Sequence, residues 1–155
     1  MSVAGGKDAQ HSQLPERRIV VGIDGSDSSV QALEWAARQA ELTHDVLDVV
    51  TTWEWPTNLG WAPPFPEDWN PQADTAKILD EILVRLRHTH PDVEVRSRVV
   101  EGYPAPVLIE ASHGAELLVV GSRGHGEFAG MLLGSVSEHC TTHASCPVVV
   151  VRDRD

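Results

Sequence analysis

The sequence predicts an α/β domain of the open, doubly wound kind, built on a five-stranded parallel sheet. Short β-branched runs alternate with segments of helical period from Arg18 to the end of the chain. Runs such as "RIVVGI" and "PVVVV" are too continuously apolar for a half-exposed strand and suit a sheet covered on both faces. Glycines gather just after three of the first four strands, at Gly22 and Gly25, at Gly102, and from Gly121 onward.

Each element has its own signal. "RIVVGID" is a buried strand closed by Gly22, Asp24 and Gly25. Ser26 and Asp27 offer N-cap oxygens to a helix whose inner face carries Val30, Leu33, Ala36, Ala37 and Ala40, ending near Thr43. "DVLDVVTT" is the second strand. From Pro71, the residues Ile78, Leu79, Ile82, Leu83 and Leu86 recur at helical spacing, and "VEVRSRVV" alternates as the third strand. Pro104 suits the first turn of a helix that turns Val107, Leu108 and Ala111 inward. "AELLVVG" is the fourth strand; a helix around Ser135 to His143 and the strand "CPVVVVR" complete the chain. Strands joined by helices imply right-handed crossovers, and in such sheets ligands bind beyond the carboxyl ends of the strands where strand order reverses.

Composition sets the bounds. With 41% hydrophobic residues, 155 residues suffice for one domain with a core, expected over residues 18–155. Residues 1–17 lack the apolar core of a secretory signal and read as a flexible leader, so the expected compartment is the cytoplasm. No apolar stretch approaches the roughly 18 residues of a membrane-spanning helix. A net charge of −11 argues against partnership with nucleic acid or an anionic membrane, although a small anion can still bind where backbone N–H groups converge. Cys140 and Cys146 match no zinc or redox spacing, and with His139 and His143 nearby ordinary packing is expected rather than a metal site.

The segment "VVGSRGHGEFAGMLLGSVSEH" carries Gly121, Gly124, Gly126, Gly130 and Gly134. A loop that brings several N–H groups onto a phosphate needs positions without Cβ, and a helix starting near Gly134–Ser135 adds its free N–H groups and dipole, with the Ser135 and Ser137 hydroxyls as further donors. A bulky residue at Gly121 or Gly124 is therefore expected to fill phosphate space in a surface cleft. A P-loop is excluded because no Lys follows a glycine here, and the first turn, Gly22-Ile-Asp-Gly25, is not a dinucleotide fingerprint. Spacing alone leaves a plain glycine-rich surface loop as an equal alternative.

The pattern Gly121-x2-Gly124-x9-Gly134-Ser135 resembles the nucleotide-binding signature of ATP-binding universal stress proteins. "VVGIDGS", "VVEGYPAPVLIEA", "AELLVVGS" and "CPVVVVR" resemble that family in the same order, from about Arg18 to Arg152, most like its single-domain actinobacterial kind. The resemblance implies the strand order 3-2-1-4-5 of the adenine nucleotide alpha hydrolase-like fold, a nucleotide between the first and fourth strands, and a homodimer through the fifth strand, Pro147 to Val151. It places Gly22, Ile23 and Asp24 near adenine or ribose and Thr52 against the base. Val120, Gly121, Ser122, Arg123 and Gly124 flank the nucleotide and its phosphates, and Gly134, Ser135, Val136 and Ser137 close round them. Where relatives commonly have His, this chain has "TTW", which leaves base selectivity open. Asp24 is also readable as a turn residue, and Arg123 and His125 as solvated charges.

The expected ligand is ATP, with or without Mg²⁺, and cAMP is the alternative. The expected role is a stress-response regulatory protein with an unknown downstream protein partner. A weak ATPase or self-phosphorylating protein and a ligand-independent dimeric scaffold are the competing classes, since the motif supplies a cradle and no placed catalytic group. The insert "WEWPTNLGWAPPFPEDW" holds Trp53, Trp55, Trp61 and Trp69 among prolines. It reads either as a partner-binding surface or as a lid folded on its own domain.

Overall fold

A computed structural model describes residues 16–56, 65–124 and 132–153. The elements run β1 (Arg18–Ile23), α1 (Asp27–Thr43), β2 (Val46–Trp53), α2 (Pro71–Thr89), β3 (Val95–Glu101), α3 (Pro104–Ala111), β4 (Leu117–Gly121), α4 (Ser135–His143) and β5 (Val148–Val151). All five strands pair in parallel, in the order β3-β2-β1-β4-β5. The chain winds outward from β1 through β2 to β3, then crosses to β4 and β5. The reversal therefore falls between β1 and β4.

Strand periodicity divides the core in two. Ile19, Val21 and Ile23 of β1 face α1 and α2, joining Leu33, Leu47, Val49, Leu79, Leu83 and Val119. Val20 faces the other way, joining Val50, Leu108, Leu118, Val120 and Cys140 beneath α3 and α4. Alanines 32, 36, 37 and 40 are all buried, so α1 lies close on the sheet. Ser26 caps α1 by accepting from the Ser29 N–H, and Asn70 caps α2 by accepting from the Ala73 N–H.

Three expectations change. Ile78 is 52% exposed, because the buried stripe of α2 runs through Leu79, Ile82, Leu83 and Leu86 and leaves Ile78 at its margin. Val30 is only partly buried against the core. Of the two thiols expected to pack in the interior, Cys140 is fully buried, where desolvation pushes it up to about 11, and Cys146 departs from that expectation by being partly exposed. Among the described residues no group of His, Cys, Asp and Glu could hold a metal ion, and no helix is long and apolar enough to cross a membrane.

Two further features tie elements together. His90, at the C-terminal end of α2, is buried with each ring nitrogen 3.1 Å from a carboxylate of α1, Nε2 to Glu34 and Nδ1 to Glu41. The described ends of the tryptophan-rich insert pack on one another. Trp53 meets Trp55 edge to face at 5.6 Å, Trp55 meets Trp69 at 5.9 Å, and Phe65 stacks on Trp69 at 4.4 Å. Trp61, Pro63 and Pro64 lie outside the described residues, as do His125, Gly126 and Gly130 of the glycine segment.

Candidate nucleotide site

A cleft of about 500 Å³ opens beyond the carboxyl ends of β1, β2 and β4, at the point where strand order reverses. Its floor comes from the strand exits: Gly22, Ile23 and Asp24 of β1, Val50 and Thr52 of β2, and Val120 and Gly121 of β4. One wall is Arg123 and Gly124 with the start of α4, Gly134 to Ser137. The other is Pro104 and Leu108 of α3, with Glu54 just past the end of β2 and Ser29 at the start of α1. Twelve of the residues predicted from sequence line this one space.

The exception is Ser122, which is 3% exposed and forms no part of the lining. It acts through its backbone. Its N–H donates to Val151 O at 2.8 Å, and its carbonyl accepts from Gly134 N–H at 2.7 Å. Those bonds fix the β4 exit to both β5 and the start of α4. Ser137 differs from expectation too: at 2% exposed, its hydroxyl faces Gly134 O at 2.9 Å and Ser122 O at 3.3 Å, which makes it a brace for the turn.

The α4 end of the cleft is built for an anion. Gly134 is the N-cap of α4, in extended conformation and with no side chain to cap the helix. The first-turn N–H groups of Ser135, Val136 and Ser137 have no partner within the helix, since the first intrahelical bond is from Glu138 N–H to Gly134 O at 3.0 Å. They and the helix dipole favour negative charge there.

Asp24 closes a turn and also lines the cleft. Its Oδ1 accepts from the Ser26 N–H and hydroxyl, which closes the turn into α1, and its N–H donates to Ser29 Oγ at 3.3 Å. Its Oδ2 nevertheless lies across the mouth of the cleft, 2.9 Å from the place a Cβ on Gly124 would occupy. A side chain at Gly124 would therefore have to displace the end of the Asp24 side chain. At Gly121 the obstacle is different, because a Cβ there would stand 2.5 Å from Ser28 Oγ and 2.8 Å from the Ser28 backbone. The close approach of β4 to the start of α1 depends on that glycine.

Sequence reasoning missed Ser29, Val50, Glu54, Pro104 and Leu108 as lining residues. Val50 and Glu54 were findable, because the period of two that points Thr52 into the cleft points both of them the same way. Leu108 was marked only as an inward residue of α3. Its side chain approaches Gly22 so closely that a Cβ there would fall 2.7 Å from Leu108 Cδ1.

The chain matches the Universal stress protein family over residues 16–152 and belongs to that family. It is 40% identical over 154 residues to a universal stress protein of Mycolicibacterium smegmatis, covering 98% of this chain and 50% of that protein. It thus spans about half the length of the curated relatives it matches. Among solved structures, it is similar to a universal stress protein in complex with cAMP, with a TM-score of 0.64, 29% identity, and 89% and 98% of the two chains covered. The universal stress protein of Archaeoglobus fulgidus in complex with dAMP shares the fold, with a TM-score of 0.63, 21% identity, and coverage of 89% and 99%.

Proposed function

We propose that this chain binds an adenine nucleotide in the cleft, with ATP as first ligand, and serves as a nucleotide-responsive regulatory protein acting as a homodimer in the cytoplasm. The observation that carries the reading is the start of α4, which has no side-chain cap and stands beside the glycine exit of β4 on one wall of an open cleft, tied to it by the Gly134 N–H bond to Ser122 O. That arrangement offers converging N–H donors to phosphate, and the strand exits of β1 and β2 offer an apolar floor to a nucleoside. A phosphate beside Gly124 also meets the Asp24 carboxylate. A divalent cation such as Mg²⁺ between them would offset the repulsion, so ATP binding is expected to strengthen when Mg²⁺ is added.

A cyclic nucleotide is the second ligand to test, because the similar structure at 29% identity is a complex with cAMP. Among the described residues the cleft is lined by one basic side chain, Arg123, and by no lysine or placed general base, which favours a binder over an efficient phosphotransferase. The direct experiment is to denature the purified protein, identify the small molecules released, and titrate the emptied protein with ATP, ADP, AMP and cAMP. ATP or cAMP in the released fraction, with matching affinity, supports the reading. ADP together with turnover in Mg²⁺ turns the assignment toward an ATPase. No bound nucleotide and no thermal shift with any of the four refutes nucleotide binding.

A further inference from the structure

We propose that Glu54 sets the base preference of the cleft, by accepting a hydrogen bond from the exocyclic amine of adenine and rejecting purines with a keto group in that position. The inference rests on the nucleotide reading above and assigns a role to a residue outside the glycine signature.

The cleft has a direction. Its anion-binding groups lie on the β4 side, at Gly124 and the start of α4. A nucleotide with its phosphates there lays its base toward β2. Val50 and Thr52 of that strand, and Glu54 just past its end, line the cleft, at a strand spacing of about 7 Å from one to the next. Val50 is buried and offers apolar contact, Thr52 is half-buried at the strand end, and Glu54 stands at the outer rim.

The chemistry of the row makes Glu54 the discriminating member. Val50 reads no polarity. The Thr52 hydroxyl both donates and accepts, so it tolerates either an amine or a keto edge. A carboxylate only accepts. Among the described residues Glu54 makes no hydrogen bond or ion pair, while the other lining carboxylate, Asp24, is already engaged with Ser26. Glu54 also borders a second, smaller space of about 250 Å³ between β2 and α2, lined by Trp53, Ile78 and Leu79. It sits at the rim between Trp53 and Trp55, whose rings meet edge to face at 5.6 Å. An amine donor at the base edge pairs with it. A keto oxygen in the same place meets it lone pair to lone pair, and a site built for one hydrogen-bond sense rejects the opposite sense strongly.

The test is competitive titration with ATP, ITP and dATP, of which ATP and ITP differ at the C6 edge of the purine and ATP and dATP at the ribose, on the wild type and on Glu54→Gln. The wild type should bind ATP at least tenfold more tightly than ITP. In Glu54→Gln, whose amide donates as well as accepts, that ratio should fall to within about threefold. Loss of the negative charge alone would strengthen both triphosphates together, so the ratio isolates the hydrogen-bond sense. An unchanged ATP/ITP ratio in Glu54→Gln, with ATP still bound, overturns the role of Glu54 and leaves nucleotide binding standing. A variant that changes only the ratio of ATP to dATP assigns Glu54 to the ribose and overturns the proposal likewise. If the wild type binds none of these nucleotides, the functional reading falls and this inference with it.

Discussion

Two glycines three residues apart in the β4 exit do different work, and only the geometry separates them. Gly121 gives way to the Ser28 backbone, which cannot yield, whereas Gly124 faces the end of the Asp24 side chain, which can rotate. The sequence reading expected a bulky replacement at either to empty the cleft of phosphate. The structure restricts that expectation to Gly124. Gly124→Glu should keep the melting temperature within a few degrees of wild type and abolish ATP binding, since a side chain and a charge then occupy phosphate space. Gly121→Ala should instead cost about 1–3 kcal/mol of stability, read as a lower midpoint in urea, because β4 and α1 must separate to admit a methyl group. Retained ATP affinity in Gly124→Glu would remove the phosphate cradle from this end of the cleft. The spacing of glycines was legible because phosphate approach and tight turns both demand absent side chains. Pro104 and Leu108 were not, because their lining role depends on where the fold sets α3 against the strand exits, and neither composition nor periodicity near those residues encodes it.

At the scale of elements, the strands and helices were readable almost to their ends because each carried one dominant signal: continuous valines for β5, alternating alanines and leucine for α1, proline at the first turn for α2 and α3. What escaped was a contact between elements. His90 lies 49 and 56 residues from the two glutamates that hold it, and no local pattern marks the meeting. With both ring nitrogens against carboxylates, the imidazolium is the form that can donate to both. Burial alone would lower its pKa; hydrogen bonds and charge from Glu34 and Glu41 outweigh that and leave it raised above 6.5. A raised folded-state pKa gives stability that is fully present below about 6.5 and is lost as pH rises through the folded value. Unfolding free energy should therefore decline by on the order of 1 kcal/mol as pH climbs from 6 into the alkaline range, and His90→Gln should flatten that decline. An equal slope in wild type and variant, measured by denaturant titration at several pH values, would detach the effect from the α1–α2 clasp.

On the scale of the whole molecule the sheet has two edges of opposite character. β3 is blunted by Arg96, Arg98 and Glu101, with Arg98 bonded to Asp48 at 2.8 Å and Arg96 paired with Glu16. β5 carries four valines, all half-buried, with Val149 and Val151 packed toward one core cluster and Val148 and Val150 toward the other. Such an edge invites pairing with another strand, and a second copy related by a two-fold axis closes the assembly. The net charge of −11 per chain opposes this weakly, because screening at physiological salt confines repulsion to about 8 Å. The hydrogen-bond pattern tells which residue to change. Leu118 N–H donates to Pro147 O and Ser122 N–H to Val151 O, so in the observed register residues 147, 149 and 151 bond inward to β4. Val148 and Val150 then present their N–H and C=O groups outward. A proline at Val149 would break the sheet itself, whereas Val150→Pro removes an outward donor and leaves the β4–β5 ladder its bonds. Wild type is expected to sediment as a dimer, and Val150→Pro as a monomer that keeps the wild-type circular dichroism spectrum and binds ATP. A monomeric wild type, or a Val150→Pro variant that stays dimeric, would show that the copies do not meet along this edge.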